Sequence, residues 1–223
     1  MNNITLLIIE SIICFIFFVI AYKKYKTEGI YVYTIILTIL SFFLSLKKIE
    51  FYHYELDLGI IPFVMVFTSF NIIIQKKGIE ETKKLLLIIL STTLISYFIL
   101  LLVSFMDSSI INLFINASYD NIFDNSLRLY FANTVTLLYS LLLNNKLYYY
   151  LKLMKNNILI SNIFSGIIIQ FIASTIFGLV AYTFEIDLID IIKIIMIRYL
   201  ISLIVGILST SVIYITKYIK EEK

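Results

Sequence analysis

Residues 158–184 read ILISNIFSGIIIQFIASTIFGLVAYTF, a run of 27 residues without Asp, Glu, Lys or Arg. A helix needs about 20 mainly apolar residues to cross the roughly 30 Å of hydrocarbon in a bilayer. The run also lacks the polar–apolar alternation of a membrane β-barrel strand. It therefore predicts a membrane-spanning helix.

Similar runs occur throughout the chain, which has 223 residues, of which 61% are hydrophobic, and a mean hydropathy of +0.97. Soluble domains are only about 45–50% apolar, so the composition indicates that the bilayer is the solvent. We predict an all-α integral membrane protein, a bundle of about seven (six to seven) transmembrane helices that forms a single polytopic domain over residues 1–223. The predicted spans are residues 4–22, 29–46, 58–74, 85–106, 127–149, 158–184 and 188–215.

The connections between the predicted spans alternate between lysine-rich and acid-rich, and this alternation predicts their orientation. Because lysine-rich loops stay in the cytoplasm, we expect the N-terminus outside and the C-terminus in the cytoplasm. We expect a multi-pass protein of the cell (plasma) membrane, in a bacterium the inner membrane, with the lipid bilayer as its surroundings. The net charge of +3 is too small to indicate a nucleic-acid partner. The cytoplasmic lysines are Lys23, Lys24, Lys26, Lys76, Lys77, Lys83, Lys84, Lys146, Lys152, Lys155, Lys217, Lys220 and Lys223. The outer side carries Lys47 and Lys48, but also the acids Glu50, Glu55, Asp57, Asp107, Asp120, Asp124, Glu185, Asp187 and Asp190.

The residue types needed for catalysis are scarce. The sequence has one histidine, His53, one cysteine, Cys14, and six glycines, and it contains no phosphate-binding loop or metal-ligand motif. The predicted spans contain no pair of aspartates for intramembrane hydrolysis. We therefore predict that the protein is not an enzyme and needs neither a cofactor nor a metal.

Charged side chains inside the predicted spans call for an explanation, because each costs roughly 2.5–3.5 kcal/mol to insert. Arg198 lies about ten residues, or roughly 15 Å, into the last span. Two interpretations remain open for it: a substrate-binding residue in an internal cavity, or one half of a structural ion pair. Glu10, at a comparable depth in the first span, is its expected partner. Arg128, near the outer end of the fifth span, is a further candidate for substrate binding.

Two amides in the spans are candidates for ligand contacts. Gln170 lies near the middle of the sixth span, and its two donor hydrogens and acceptor oxygen suit the edge of a planar ligand. Asn71 lies in the third span. Amides in membrane helices more commonly hydrogen-bond between helices, so the structural role remains the alternative for both.

A set of features follows in order over nearly the whole chain: Ala21-Tyr22, residues 29–33, Lys77-Gly78, Arg128, residues 148–152, Ser165, Gln170, Ser174 and residues 198–201. Their order resembles the queuosine precursor transporters, also called the vitamin uptake transporter family, and suggests a divergent member. The family's third span carries an Asp and a Glu where this chain has Asn71 and Gln75. Asn144 and Ala173 also stand in place of acids, and Ser202 and Ser209 in place of a Lys and an Asp.

The resemblance implies an uptake transporter whose partner is a small-molecule substrate, a 7-deazaguanine base or a similar small planar molecule. Asn71 and Gln170 would contact the edge of such a ligand, and Phe67, Phe70 and Phe171 would offer stacking surfaces. The replaced acids leave the substrate open. Two alternatives remain: the substrate-binding subunit of a separately energised vitamin transporter, and a non-transporting membrane accessory or immunity protein. The sequence predicts neither a protein partner nor an oligomeric state.

Overall fold

The computed structural model describes residues 3–51, 54–106, 113–155 and 157–219, with their side chains except at residues 104, 113–126 and 155. These residues form six helices and one hairpin. In chain order the elements are α1 (Asn3–Leu44), β1 (Lys48–Phe51), β2 (Tyr54–Asp57), α2 (Ile60–Lys76), α3 (Ile79–Ser104), α4 (Leu113–Lys155), α5 (Ile158–Tyr182) and α6 (Leu188–Tyr218).

Helix α1 consists of two antiparallel halves. The backbone of Lys26 has φ 52° and ψ −135°, which breaks the helix. Beyond the break the chain turns back, so that the hydroxyl of Tyr33 donates to the carbonyl of Cys14 at 2.5 Å. A Cβ on Gly29 would collide with the carbonyl of Ala21, so this close approach requires glycine. The two halves correspond to the first two predicted spans.

The hairpin is a departure from the predicted all-α chain. Strands β1 and β2 pair antiparallel, with Lys48 opposite Asp57 and Phe51 opposite Tyr54. Residues 48–51 and 54–57 alternate polar and apolar side chains, the period typical of a strand. Four-residue strands are too short to register in a search for 20-residue spans. The hairpin leads directly into α2 and so connects the first helices to the centre of the bundle.

The predicted spans leave residues 107–126 as a connection between helices. This prediction was wrong from residue 113 onward, because α4 begins there. This helix has 43 residues and is about 65 Å long at 1.5 Å per residue, far longer than the hydrocarbon layer. The first half of this helix contains acids, so it was not recognised as an apolar span. A helix can nevertheless carry charges wherever it is not surrounded by hydrocarbon. The predicted fifth span therefore occupies only the second half of a longer helix.

The surface and interior of the bundle have the polarity expected of a membrane protein. Every residue of α2 from Ile60 to Ile74 is buried, and α1, α3, α4 and α6 surround it. Large apolar side chains such as Phe98 and Leu102 are exposed, whereas the buried set contains many polar residues. Large exposed apolar side chains around a core that also holds many polar groups suit a bundle surrounded by lipid.

Four of the helices are long and apolar enough to cross a membrane: α1, α3 over Ile79–Val103, α5 and α6. Helix α2 is apolar but has only 17 residues. The protein is therefore an all-helical membrane protein apart from its hairpin, while the count of seven spans and the orientation remain predictions. Of the charges behind the predicted orientation, Asp107, Asp120, Asp124, Lys155, Lys220 and Lys223 lie outside the described side chains.

Candidate functional site

A chain of buried amides crosses the centre of the bundle and joins four helices. Asn144 on α4 donates from Nδ2 to Oδ1 of Asn71 on α2, at 2.8 Å. Asn71 donates from Nδ2 to Oδ1 of Asn162 on α5, at 2.7 Å. Asn162 donates in turn to the hydroxyl of Thr210 on α6, at 2.8 Å. Because unsatisfied polar groups are costly in a dry interior, these hydrogen bonds specify how the four helices pack.

A small cavity lies beside the amide chain. Its volume is about 20 Å³, which is room for about one water molecule. Two glycines, Gly166 on α5 and Gly206 on α6, leave this space open, and a Cβ added to Gly166 would meet no atom within 4 Å. The lining consists of Phe67, Thr68, Asn71, Asn144, Asn162, Gly166, Ile169, Gln170 and Gly206.

Gln170 is a polar side chain that lines this cavity. Its side chain is only 3% exposed and lines both this cavity and an adjoining void of about 10 Å³. Among the described residues, no hydrogen bond reaches its amide. A buried amide without a partner is unfavourable unless water or a ligand satisfies it. The Gln170 amide therefore keeps its hydrogen-bonding groups available for a water molecule or a ligand.

Arg198 is buried, but it belongs to a different part of the molecule. Its Nη1 donates to Oδ2 of Asp57, at the end of β2, and both side chains are 3% exposed. The guanidinium carbon lies 3.8 Å from the ring centroid of Phe177 and 5.6 Å from that of Phe63. Along α6, Arg198 is eight residues, or about 12 Å, from Gly206 of the cavity. The expectation of an ion pair for Arg198 is met, but its partner is Asp57.

The expected pairing of Glu10 with Arg198 was wrong. Glu10 forms no ion pair with any described residue, and its Oε1 is buried without a hydrogen-bond partner among them. Depth along a helix, on which the expectation rested, does not determine which side of the bundle a side chain faces. The acid that reaches Arg198 comes instead from the hairpin.

Arg128 lies near the surface, at the junction of α4 with the connection between α5 and α6. Its Nη1 is 2.5 Å from Oε1 of Glu185, and its Nη2 donates to the carbonyl of Thr183. The Arg128 side chain is 36% exposed. The structure thus brings Asn71 and Gln170 together but leaves Arg128 and Arg198 outside the cavity lining.

Side-chain contacts lie on both sides of the cavity along the helices. Towards the lysine-rich end, Nε2 of Gln75 donates to the hydroxyl of Tyr148, and Lys152 donates to the carbonyl of Ile74 at 3.2 Å. Burial lowers the pKa of Lys152. At the other end, the hairpin is fastened to α6 by Asp57 and Arg198. No cluster of three or more His, Cys, Asp or Glu that could hold a metal ion occurs among the described residues.

Two of the cavity residues, Asn162 and Asn144, were missing from the candidate ligand contacts drawn from the sequence. Asn162, Gly166, Gln170 and Ser174 follow one another at four-residue intervals, which places them on one face of α5. That spacing is a signal the sequence does contain. No comparable spacing pointed to Asp57 as the partner of Arg198, and Asp57 was counted among the outer-loop charges.

The fold and the site define a helical membrane protein with a small, amide-lined cavity between α2, α4, α5 and α6. A family model described as "Putative vitamin uptake transporter" matches residues 57–216, a range that includes Asn71, Asn144, Asn162 and Gln170. The chain belongs to this family. The first helix α1 and strand β1 precede the matched range. No curated protein and no solved structure matches the chain.

Proposed function

We propose that this protein takes up a queuosine precursor, a 7-deazaguanine base, or a similar small planar molecule across a bacterial inner membrane. The observation that carries the proposal is the unpartnered amide of Gln170 in a cavity where α2, α4, α5 and α6 meet. Small-molecule sites combine an apolar lining with a few well-placed polar groups. Phe67 and Ile169 supply the apolar part of this lining, and the four amides supply the polar part.

The small volume of the cavity fits a transporter that has no substrate bound. A base-sized ligand needs far more than 20 Å³, so the helices that line the cavity must separate to admit it. Alternating access requires contacts on each side that break in turn. The pair Asp57–Arg198 is suited to this role on the predicted outer side. The bond between Gln75 and Tyr148 is suited to it on the predicted cytoplasmic side.

Asn71 and Gln170 are proposed as direct substrate contacts, with Asn144 and Asn162 beside them. Of the stacking candidates, only Phe67 lines the cavity. Phe70 is fully buried elsewhere in the core, and Phe171 is 48% exposed and packs edge-on against Tyr199. Arg128 and Arg198 act, in this proposal, at the outer connections rather than on the substrate.

Uptake of a labelled 7-deazaguanine base tests the proposal in a bacterial strain that lacks its own precursor transporter. We expect uptake with the wild-type chain and a loss of about 5- to 100-fold for Gln170→Ala, because one or two buried hydrogen bonds are worth roughly 1–3 kcal/mol. Asn133→Ala is the matched control. Asn133 is 1% exposed and bonds to Oγ of Ser45 at 2.7 Å, outside the cavity lining.

Two outcomes would contradict the proposal. In the first, the wild-type protein reaches the membrane but supports no uptake, and purines, deazapurines and vitamins do not stabilise it against heat. That result would favour the accessory-protein alternative. Equal uptake losses for Gln170→Ala and Asn133→Ala would indicate that transport does not depend specifically on the cavity.

A further inference from the structure

The hydrogen bonds of the amide chain all run in one direction. Each amide donates to the next, from Asn144 to Asn71, then to Asn162 and finally to Thr210. The hydroxyl of Thr210 donates onward to the carbonyl of Gly206 at 3.3 Å. Since a backbone carbonyl can only accept, this last bond fixes the direction of the whole chain.

Fixing the direction determines which groups remain for a ligand. Asn144 begins the chain, so its Oδ1 receives no hydrogen from the other amides and can accept from a ligand. The amide of Gln170 offers both a donor and an acceptor. These two residues lie on different helices, α4 and α5, and both line the cavity.

No ionisable side chain lines the cavity within the described part of the chain. A cation or an anion bound there would lose its hydration and gain only neutral amide dipoles in return. An unpaired ion in a protein interior is strongly unfavourable, whereas an uncharged polar molecule needs only its hydrogen bonds satisfied. The chemistry of the lining therefore discriminates by charge.

We infer that the cavity selects uncharged ligands, with Asn144 and Gln170 as the residues that determine this specificity. The ligand presents a hydrogen-bond donor to Oδ1 of Asn144 and a donor–acceptor edge to Gln170. The inference rests on the proposed function, because it assigns the class of substrate to the same cavity.

Asn144→Asp is the substitution that tests charge selection. In the empty cavity burial favours the neutral carboxylic acid, which can donate to Oδ1 of Asn71 as Asn144 does, so the amide chain keeps its direction and its packing. A cationic ligand beside the new carboxyl group would stabilise its ionised form, so the variant can pair with a cation where the wild type cannot.

The experiment measures the binding of two matched ligands to the purified protein in lipid nanodiscs. They are 7-deazaguanines that carry either an uncharged nitrile or a cationic aminomethyl group at the same position. For the wild type we expect the nitrile compound to bind at least about tenfold more tightly. For Asn144→Asp we expect that preference to shrink at least about tenfold or to reverse, because the carboxylate attracts the cation.

Asn133→Asp is the control, because it makes the same change at an equally buried site that does not line the cavity. Its preference should equal that of the wild type. Equal binding of both ligands by the wild type, or an unchanged preference in Asn144→Asp, would overturn the inference while leaving measured uptake intact. If neither ligand binds the folded protein and uptake is also absent, the inference and the proposed function both fail.

Discussion

Arg198 on α6 and Asp57 at the end of β2 form a buried ion pair that fastens the hairpin to the helical bundle. The guanidinium also lies against the ring of Phe177, on α5. Oδ1 of Asp57 is buried without a hydrogen-bond partner among the described residues, so the pair is held by a single acid oxygen. A buried pair of this kind contributes less to stability than to the choice of one arrangement.

Removing one member of this pair should destabilise the protein far more than removing both. We expect Arg198→Met to lower the free energy of unfolding by about 3–5 kcal/mol, because Asp57 would remain buried and unpaired. The double variant Arg198→Met with Asp57→Leu should recover most of that loss. Chemical unfolding in detergent micelles measures both changes.

Glu10→Gln is the comparison for that experiment. Because Glu10 forms no ion pair among the described residues, the substitution should not reproduce the loss seen in Arg198→Met. A loss as large as that of Arg198→Met would indicate that the first helix does hold Arg198. It would thereby contradict the pairing with Asp57.

The two glycines of α5 should respond in opposite ways to a methyl group. At Gly166 a Cβ meets nothing within 4 Å, and alanine is the better helix former by about 0.5–1 kcal/mol. Gly166→Ala should therefore fold at least as stably as the wild type while its methyl group reduces uptake. Thermal unfolding and uptake are measured on the same preparations.

Gly178→Ala is the matched substitution on the same helix. A Cβ there would collide with Cγ1 of Ile195 on α6, so we expect a destabilisation of about 1–3 kcal/mol. Gly178 does not line the cavity. If Gly166→Ala supports normal uptake, a ligand does not need the space beside Gly166.

The class of the protein could be predicted from its sequence because hydrocarbon imposes a simple length and polarity rule. The break near Lys26 could be placed for the same reason, since charge interrupts an apolar run there. The extended α4 could not be predicted, because the charged residues in its first half do not fit that rule. The hairpin was not predicted for a related reason, since its four-residue strands show a short polar–apolar alternation rather than a long apolar run.

The candidate site was predictable only in part. Gln170 and Asn71 could be selected as single polar residues in apolar helices, and the structure places them around one cavity. Their partners Asn144 and Asn162 depend on which faces of four helices meet, and no single helix contains that information. Arg198 illustrates the same limit, because its partner Asp57 is 141 residues away in the chain.

Lys48 on β1 provides a pH-dependent probe of the hairpin. Burial alone would lower the pKa of Lys48, but the 2.7 Å contact with Glu55 and the nearby Tyr182 ring outweigh it and raise that pKa. A raised lysine pKa stabilises the fold fully below the unfolded value of about 10.4 and ceases to do so as the pH rises through the folded value. The stabilising effect is therefore lost only in alkali.

Glu55→Gln should lower the pKa of Lys48 and so increase its reaction with an amine-specific reagent about one pH unit below 10.4. Mass spectrometry of the modified peptide measures the rate. An unchanged rate would mean that Glu55 does not form the ion pair that raises the pKa of Lys48 in the membrane-bound protein. Glu185→Gln is the control, because that acid contacts Arg128 instead.

The predicted orientation can be tested with single cysteines in a Cys14→Ser background. Asp187 precedes α6 and makes no side-chain capping bond, and Lys83 makes only an exposed bridge to Glu80, so replacing either should cost less than about 1 kcal/mol. With the N-terminus outside, Asp187→Cys should react in intact cells with a maleimide that cannot cross membranes. Lys83→Cys should react only after the membrane is permeabilised, since its lysine-rich connection faces the cytoplasm. The opposite pattern would reverse the predicted orientation. The contact between Gln75 and Tyr148, rather than the pair Asp57–Arg198, would then lie on the outer side.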